Sequence, residues 1–178
     1  MTELVVSADP LSTNFIESIA DYVREICATP DPFLPIVDIL EFGLERLAPG
    51  YVFEVRSVEE LGRNHGQVDP IAKTLALRED VYEGLVNDVG RDRFTAAHEL
   101  GHALLHGRSL NRSPTGTARK IYCDPEWQAN TFAAALLMPQ AMVKQMKSLE
   151  QVSDEFGVSD EAAAVRVRKL GLTLPRFG

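Results

Sequence analysis

Residues 98–102 of this 178-residue chain read His-Glu-Leu-Gly-His, and that pentapeptide restricts what the segment around it can be. On a helix, imidazoles four positions apart stand one turn apart on the same face, with Cβ atoms about 5–6 Å apart. Both rings then reach one Zn²⁺ at roughly 2.0–2.1 Å from each nitrogen. Glu99 lies about 100° round the axis from His98, so it flanks such an ion instead of binding it. There it can accept a proton from a water that attacks a carbonyl. The alternative is a buried helix whose two histidines merely satisfy hydrogen bonds in the core. A glutamate between them at this spacing weighs against it.

The flanks support a helix. Phe94, Ala97, Leu100 or Gly101, Leu104 and Leu105 recur at helical spacing and predict one buried face. Gly107 stands where a helix ends on a left-handed glycine. Gly101, inside the helix, costs about 1 kcal/mol against alanine, which predicts the close approach of another backbone.

A catalytic zinc needs a third protein ligand and an open position. Extending the helix in the long-spacer manner of metzincins would require a histidine at position 108, which is Arg108. His106, four residues past His102, could fall near the same face, but reads more simply as a cation at a helix C-terminus. The next helical segment, residues 124–139, is the better source. Asp124 suits the N-cap, Pro125 the first turn, and Pro139 the end. Glu126 then sits in the first turn with Asn130 one turn further along the same face, as a carboxylate ligand with a polar group behind it would. Taken alone, Glu126 reads as a first-turn acid favoured by the helix dipole.

The run from Arg93 to His106, followed by the run from Glu126 to Pro139, resembles the ImmA/IrrE family of zinc metallopeptidases, compact gluzincin-like enzymes of bacteria, phages and mobile elements. The likeness is strongest over residues 91–139. It implies one Zn²⁺ per chain held by His98, His102 and Glu126, with Glu99 as general base and Asn130 supporting the Glu126 side. It also implies a protein substrate, a helix-turn-helix transcriptional repressor of a phage, mobile element or stress regulon. The other reading is a non-proteolytic antagonist, an antirepressor or toxin–antitoxin component on a metallopeptidase scaffold. Glu99 favours the enzyme, since it has no purpose in a closed structural zinc site. Tyr122, His65 and Tyr82 are candidates for the additional donor that a tetrahedral oxyanion requires.

Composition bounds the rest. Hydrophobic residues at 45% and charged ones at 25% are ordinary for a globular domain with a real core. A net charge of −8 argues against general nucleic-acid binding and suits a basic partner such as a DNA-binding protein. Cys27 and Cys123 have no CxxC spacing and read as reduced thiols; Cys123, near Glu126, reads as a small buried side chain and not a ligand. Without a signal peptide or an apolar run of membrane-spanning length, the expected location is the cytoplasm, away from any membrane.

The expected fold class is α+β: a mainly helical, zincin-like metallopeptidase core with a small β-sheet, and a C-terminal helix-turn-helix-like segment. Residues 1–11 read as a flexible arm, 12–148 as the metallopeptidase-like domain, and 149–178 as a helical segment packed on it or appended to it. Ser12 or Thr13 caps a first helix with an apolar stripe of Phe15, Ile16, Ile19, Tyr22, Val23 and Ile26. The proline-rich stretch 29–35 breaks it, and a second helix runs from Pro35 to Leu47. Strands are predicted over Tyr51–Val55 and Lys73–Leu77. An edge strand beside the zinc helix would offer its backbone to an extended peptide. Residues 149–170 have the outline of a DNA-reading helix pair, but Ser159-Asp160-Glu161 at the start of the second helix would repel phosphates.

Overall fold

The computed structural model describes residues 4–106, 111–114 and 120–175. It is mainly helical with a small mixed sheet, the α+β class the sequence predicts. Strand β1 (Leu4–Ser7), within the stretch read as an arm, pairs antiparallel with β5 (Asn111–Pro114) in a two-stranded sheet. Helix α1 (Thr13–Ile26) is capped by Ser12, whose side chain accepts from the Phe15 N–H at 3.2 Å. Its buried stripe is narrower than expected. Ile16, Ala20 and Val23 are buried, whereas Phe15 and Tyr22 are more than half exposed.

The expected second helix is a helical run in three parts: α2 (Ile36–Asp38), a π-helical turn over Ile39–Gly43, and α3 (Leu44–Leu47). Ile36, Ile39, Leu40 and Leu44 bury one side of it. Strand β2 (Val52–Arg56) leads through α4 (Val58–Leu61), β3 (Gly66–Asp69) and β4 (Thr74–Arg78) to α5 (Glu79–Val86). The three-stranded sheet has the order β2-β4-β3, with β2 parallel and β3 antiparallel to β4. The strands that the sequence predicts are β2, at one edge, and β4, in the centre; the other edge strand, β3, has no counterpart among them. The turn from β3 into β4 closes on Asp69, whose Oδ1 accepts from the Ile71 and Ala72 N–H groups at 2.8 and 2.9 Å.

Helix α6 (Gly90–His106) carries the pentapeptide, and α7 (Pro125–Leu137) follows a short 3₁₀ turn at Ile121–Cys123. Asp124 caps α7 by accepting from the Glu126 N–H at 3.1 Å, with Pro125 in the first turn, as the sequence reading requires. The Gly107 expectation lies outside the described residues. Gly101 meets its predicted neighbour: an added Cβ would lie 2.9 Å from Phe132 Cδ1 and 3.3 Å from Ala129 Cα and carbonyl oxygen. That contact lets α6 and α7 approach closely enough for their side chains to share a site.

Helix α7 is buried on nearly every side, so its C-terminal carbonyls need internal donors. Arg24 of α1 donates to the Leu136 carbonyl at 2.9 Å. After α8 (Gln140–Val143) and α9 (Leu149–Phe156), helix α10 (Asp160–Lys169) contributes Arg166, which donates to the Met138 carbonyl at 2.9 Å and pairs with Glu17 at 2.7 Å. Arg166 is therefore engaged inside the protein and does not face a phosphate backbone. Val152, Phe156, Val158, Ala163 and Val167 join the central core, so the C-terminal helix pair packs into it. Gly157, at φ 60°, makes the turn between the two helices. Beneath it, Arg93 of α6 is 1% exposed and donates to the Gly157 and Leu34 carbonyls at 2.8 Å each and to Phe156 at 3.4 Å. Among the described residues, no helix is long and apolar enough to cross a membrane.

Candidate metal centre

Helical spacing sets His98 and His102 on one face of α6, and the close α6–α7 crossing brings Glu126 opposite them. His98 Nε2 lies 2.9 Å from His102 Nε2. Glu126 Oε2 lies 3.3 Å from the first nitrogen, and Oε1 lies 3.3 Å from the second. Ligand atoms held tetrahedrally at about 2.0–2.1 Å from one ion would be about 3.3 Å apart. Both nitrogen–carboxylate separations match that value and the nitrogen–nitrogen one is about 0.4 Å shorter, so the cluster suits a zinc-sized divalent cation, and nitrogen-rich ligation suits zinc. Cys123 is not among the converging atoms.

The electrostatics agree with a clustered donor set. The His102 and then the His98 imidazole beside it hold the Glu126 carboxyl far below the usual carboxylate range. Burial pulls the His98 imidazole down, but the hydrogen bond to Glu126 and the charges of Glu99 and Glu126 outweigh it, and the net direction is up. Burial pushes the Glu99 carboxyl up, against the charges of His98 and His102.

Glu99 is 9% exposed and lines the same cleft, beside the three ligand atoms and not among them. Strand β3 runs against it. An added Cβ at Gly66 would stand 2.5 Å from Glu99 Cγ and 2.8 Å from Cδ, so only glycine fits there without displacing the carboxyl. The cleft holds about 590 Å³ and is walled by Arg63, His65, Gly66, Val68, Phe94 and Thr95 together with the site residues.

The remaining sequence candidates separate cleanly. Asn130 belongs to the site, but it supports His98: its Oδ1 accepts from His98 Nδ1 at 3.1 Å, one turn along α7 from Glu126. His65 lines the cleft. Tyr122 does not; Lys120 Nζ lies 5.7 Å from its ring centroid, and its carbonyl accepts from Gln128. Tyr82 donates its hydroxyl to Glu41, away from the cleft.

His106 differs from its reading as a helix-terminal cation. It is 4% exposed, and burial lowers its pKa, which favours the neutral ring. Its Nδ1 meets His102 Nδ1 at 3.0 Å, and its Nε2 meets Gln128 Oε1 at 2.8 Å. The i+4 spacing from His102 was the signal for His106. Gln128 carried none, because its role depends on the α6–α7 crossing.

Residues 68–168 match the family described as the IrrE N-terminal-like domain, a peptidase family. Over 73 residues the chain is 37% identical to the uncharacterized immunity region protein 2 of Bacillus phage phi105, a match covering 40% of this chain and 45% of the phage protein. A solved Mycobacterium tuberculosis transcriptional regulator superposes on 85% of this chain and 46% of its own, with a TM-score of 0.59 and 16% identity. At that identity the likeness is one of fold. The chain spans less than half the length of each of these two proteins.

Proposed function

The chain belongs to the IrrE N-terminal-like peptidase family, ImmA/IrrE, and from that premise we propose that it is a zinc-dependent endopeptidase whose substrate is a partner protein, a helix-turn-helix repressor. His98, His102 and Glu126 would hold one zinc ion. When bound, the ion supplies Lewis acidity, polarising the scissile carbonyl and lowering the pKa of water toward about 7. Glu99 takes the proton of the attacking water and delivers it to the leaving amine nitrogen. His65, the one oxyanion candidate on the cleft wall, donates to the developing oxyanion.

The substrate backbone has a receptor in β3. Arg78 N donates to His65 O at 2.9 Å, which makes these residues a hydrogen-bonded pair of the antiparallel ladder. Alternation along that ladder turns the N–H and C=O groups of Gly66 and Val68 toward the free edge. An extended peptide can pair with them and run past Glu99.

A single observation carries the reading: a buried carboxyl of raised pKa lies beside a three-ligand donor set and is not one of its ligands. A structural site has no use for it. Relatedness to an immunity region protein of a phage supports a repressor as the partner. Free Cys27 and Cys123 support a cytoplasmic setting. The test is to mix zinc-loaded protein with a neighbouring repressor and follow fragments on a gel. Cleavage by wild type, with zinc retained and cleavage lost in Glu99→Gln, supports the proposal. An intact stable complex in both would assign antagonism by binding instead.

A further inference from the structure

The two histidines facing Glu126 are anchored differently on their outer sides. His98 Nδ1 faces an amide oxygen, Asn130 Oδ1, which can only accept. His102 Nδ1 faces another ring nitrogen, His106 Nδ1, at 3.0 Å. A nitrogen–nitrogen contact holds one proton, and the ring that owns it decides whether His102 Nε2 keeps a lone pair for a cation.

The direction is fixed further out. Gln128 is wholly buried, and its amide nitrogen lies 2.7 Å from both the Asp9 and Tyr122 carbonyl oxygens. Both of its N–H groups are thereby used, so Oε1 is left as the acceptor. It accepts from His106 Nε2 at 2.8 Å. A neutral imidazole protonated at Nε2 has a bare Nδ1. That lone pair accepts Nδ1–H from His102 and leaves His102 Nε2 unprotonated, 3.3 Å from Glu126 Oε1.

We propose that His106 and Gln128 are positioning residues that lock His102 into the Nδ1–H tautomer and so prepare its Nε2 as a metal ligand. The proposal rests on the reading of His98, His102 and Glu126 as the zinc site. It adds a line of hydrogen bonds from the backbone ahead of α1 (Asp9) and ahead of α7 (Tyr122), through Gln128 and His106, to His102. Groups that orient a ligand histidine in this way typically contribute about 10–100-fold to metal affinity.

The direct test is long-range ¹H–¹⁵N NMR on the metal-free wild-type protein near neutral pH. His102 is expected as the Nδ1–H tautomer and His106 as Nε2–H; the opposite tautomer at either ring overturns the proposal. Zinc titration against a competing chelator gives the second readout. His106→Phe should weaken zinc binding about 10–100-fold. His106→Asn, whose Oδ1 can take the place of the Nδ1 acceptor, should restore most of it, which a purely space-filling role would not. Equal affinity in wild type and His106→Phe would sink this inference alone. A wild-type protein that binds no zinc, or binds it unchanged after His102→Ala, would sink the zinc-site reading instead.

Discussion

Gly66→Ala tests the coupling between the edge strand and the general base. The added methyl would begin 2.5 Å from Glu99 Cγ, 2.8 Å from Cδ and 2.9 Å from Oε1. Ordinary carbon–carbon contacts lie at about 3.5–4.0 Å, so the carboxyl or the strand must move by about 1 Å. Glu99 is 9% exposed and has little room to swing aside. A misplacement of that size costs on the order of 10²-fold in rate, or about 2.7 kcal/mol of transition-state stabilisation. Overpacking should cost about 1–3 kcal/mol of stability, a fall in Tm of several degrees. The three atoms nearest that methyl all belong to Glu99 and none is a ligand atom, so zinc stoichiometry should stay at one per chain. The assay is kcat/KM for cleavage of the protein substrate, run beside a zinc titration and a melting curve. A variant that cuts as fast as wild type would refute the argument that β3 holds Glu99 in position.

Two further outcomes follow from the geometry. Arg93→Leu removes the donor that serves the Leu34, Phe156 and Gly157 carbonyls and should destabilise the protein by about 3–5 kcal/mol, read from denaturant unfolding; a loss below about 1 kcal/mol would contradict it. Zinc competes with protons for His98, and the hydrogen bond to Glu126 with the nearby acidic charges holds that imidazole above its ordinary value. Apparent zinc affinity should therefore begin to fall above about pH 6.5 as the solution is acidified, whereas a curve that stays flat to about pH 6 would count against the cluster.

What the sequence made legible was local. The α6 and α7 segments could be read with their caps and their bearing on His98, His102 and Glu126, because spacing of 3.6 residues and N-cap chemistry are short-range properties. Strand β3 left no pattern: Gly66-Gln67-Val68-Asp69 holds one β-branched apolar residue and becomes a strand only by pairing with β4. The stripe on α1 was read too wide, since the residues that α7 covers are decided by the packing of two helices and not by the apolar list of one. Asn130 was identified, but as support for Glu126; the helix crossing turns it to His98. The His106–Gln128 pair failed to emerge for the same reason. Its hydrogen bonds join positions 22 residues apart, a separation at which no periodicity speaks.

The most direct measurement is anomalous X-ray diffraction at the zinc edge from crystals grown with equimolar Zn²⁺. One strong peak per chain is expected, about 2.0–2.1 Å from His98 Nε2, His102 Nε2 and a Glu126 carboxylate oxygen, with Glu99 beside it and outside bonding distance. A peak ligated elsewhere, or none at this cluster with zinc in excess, would contradict it.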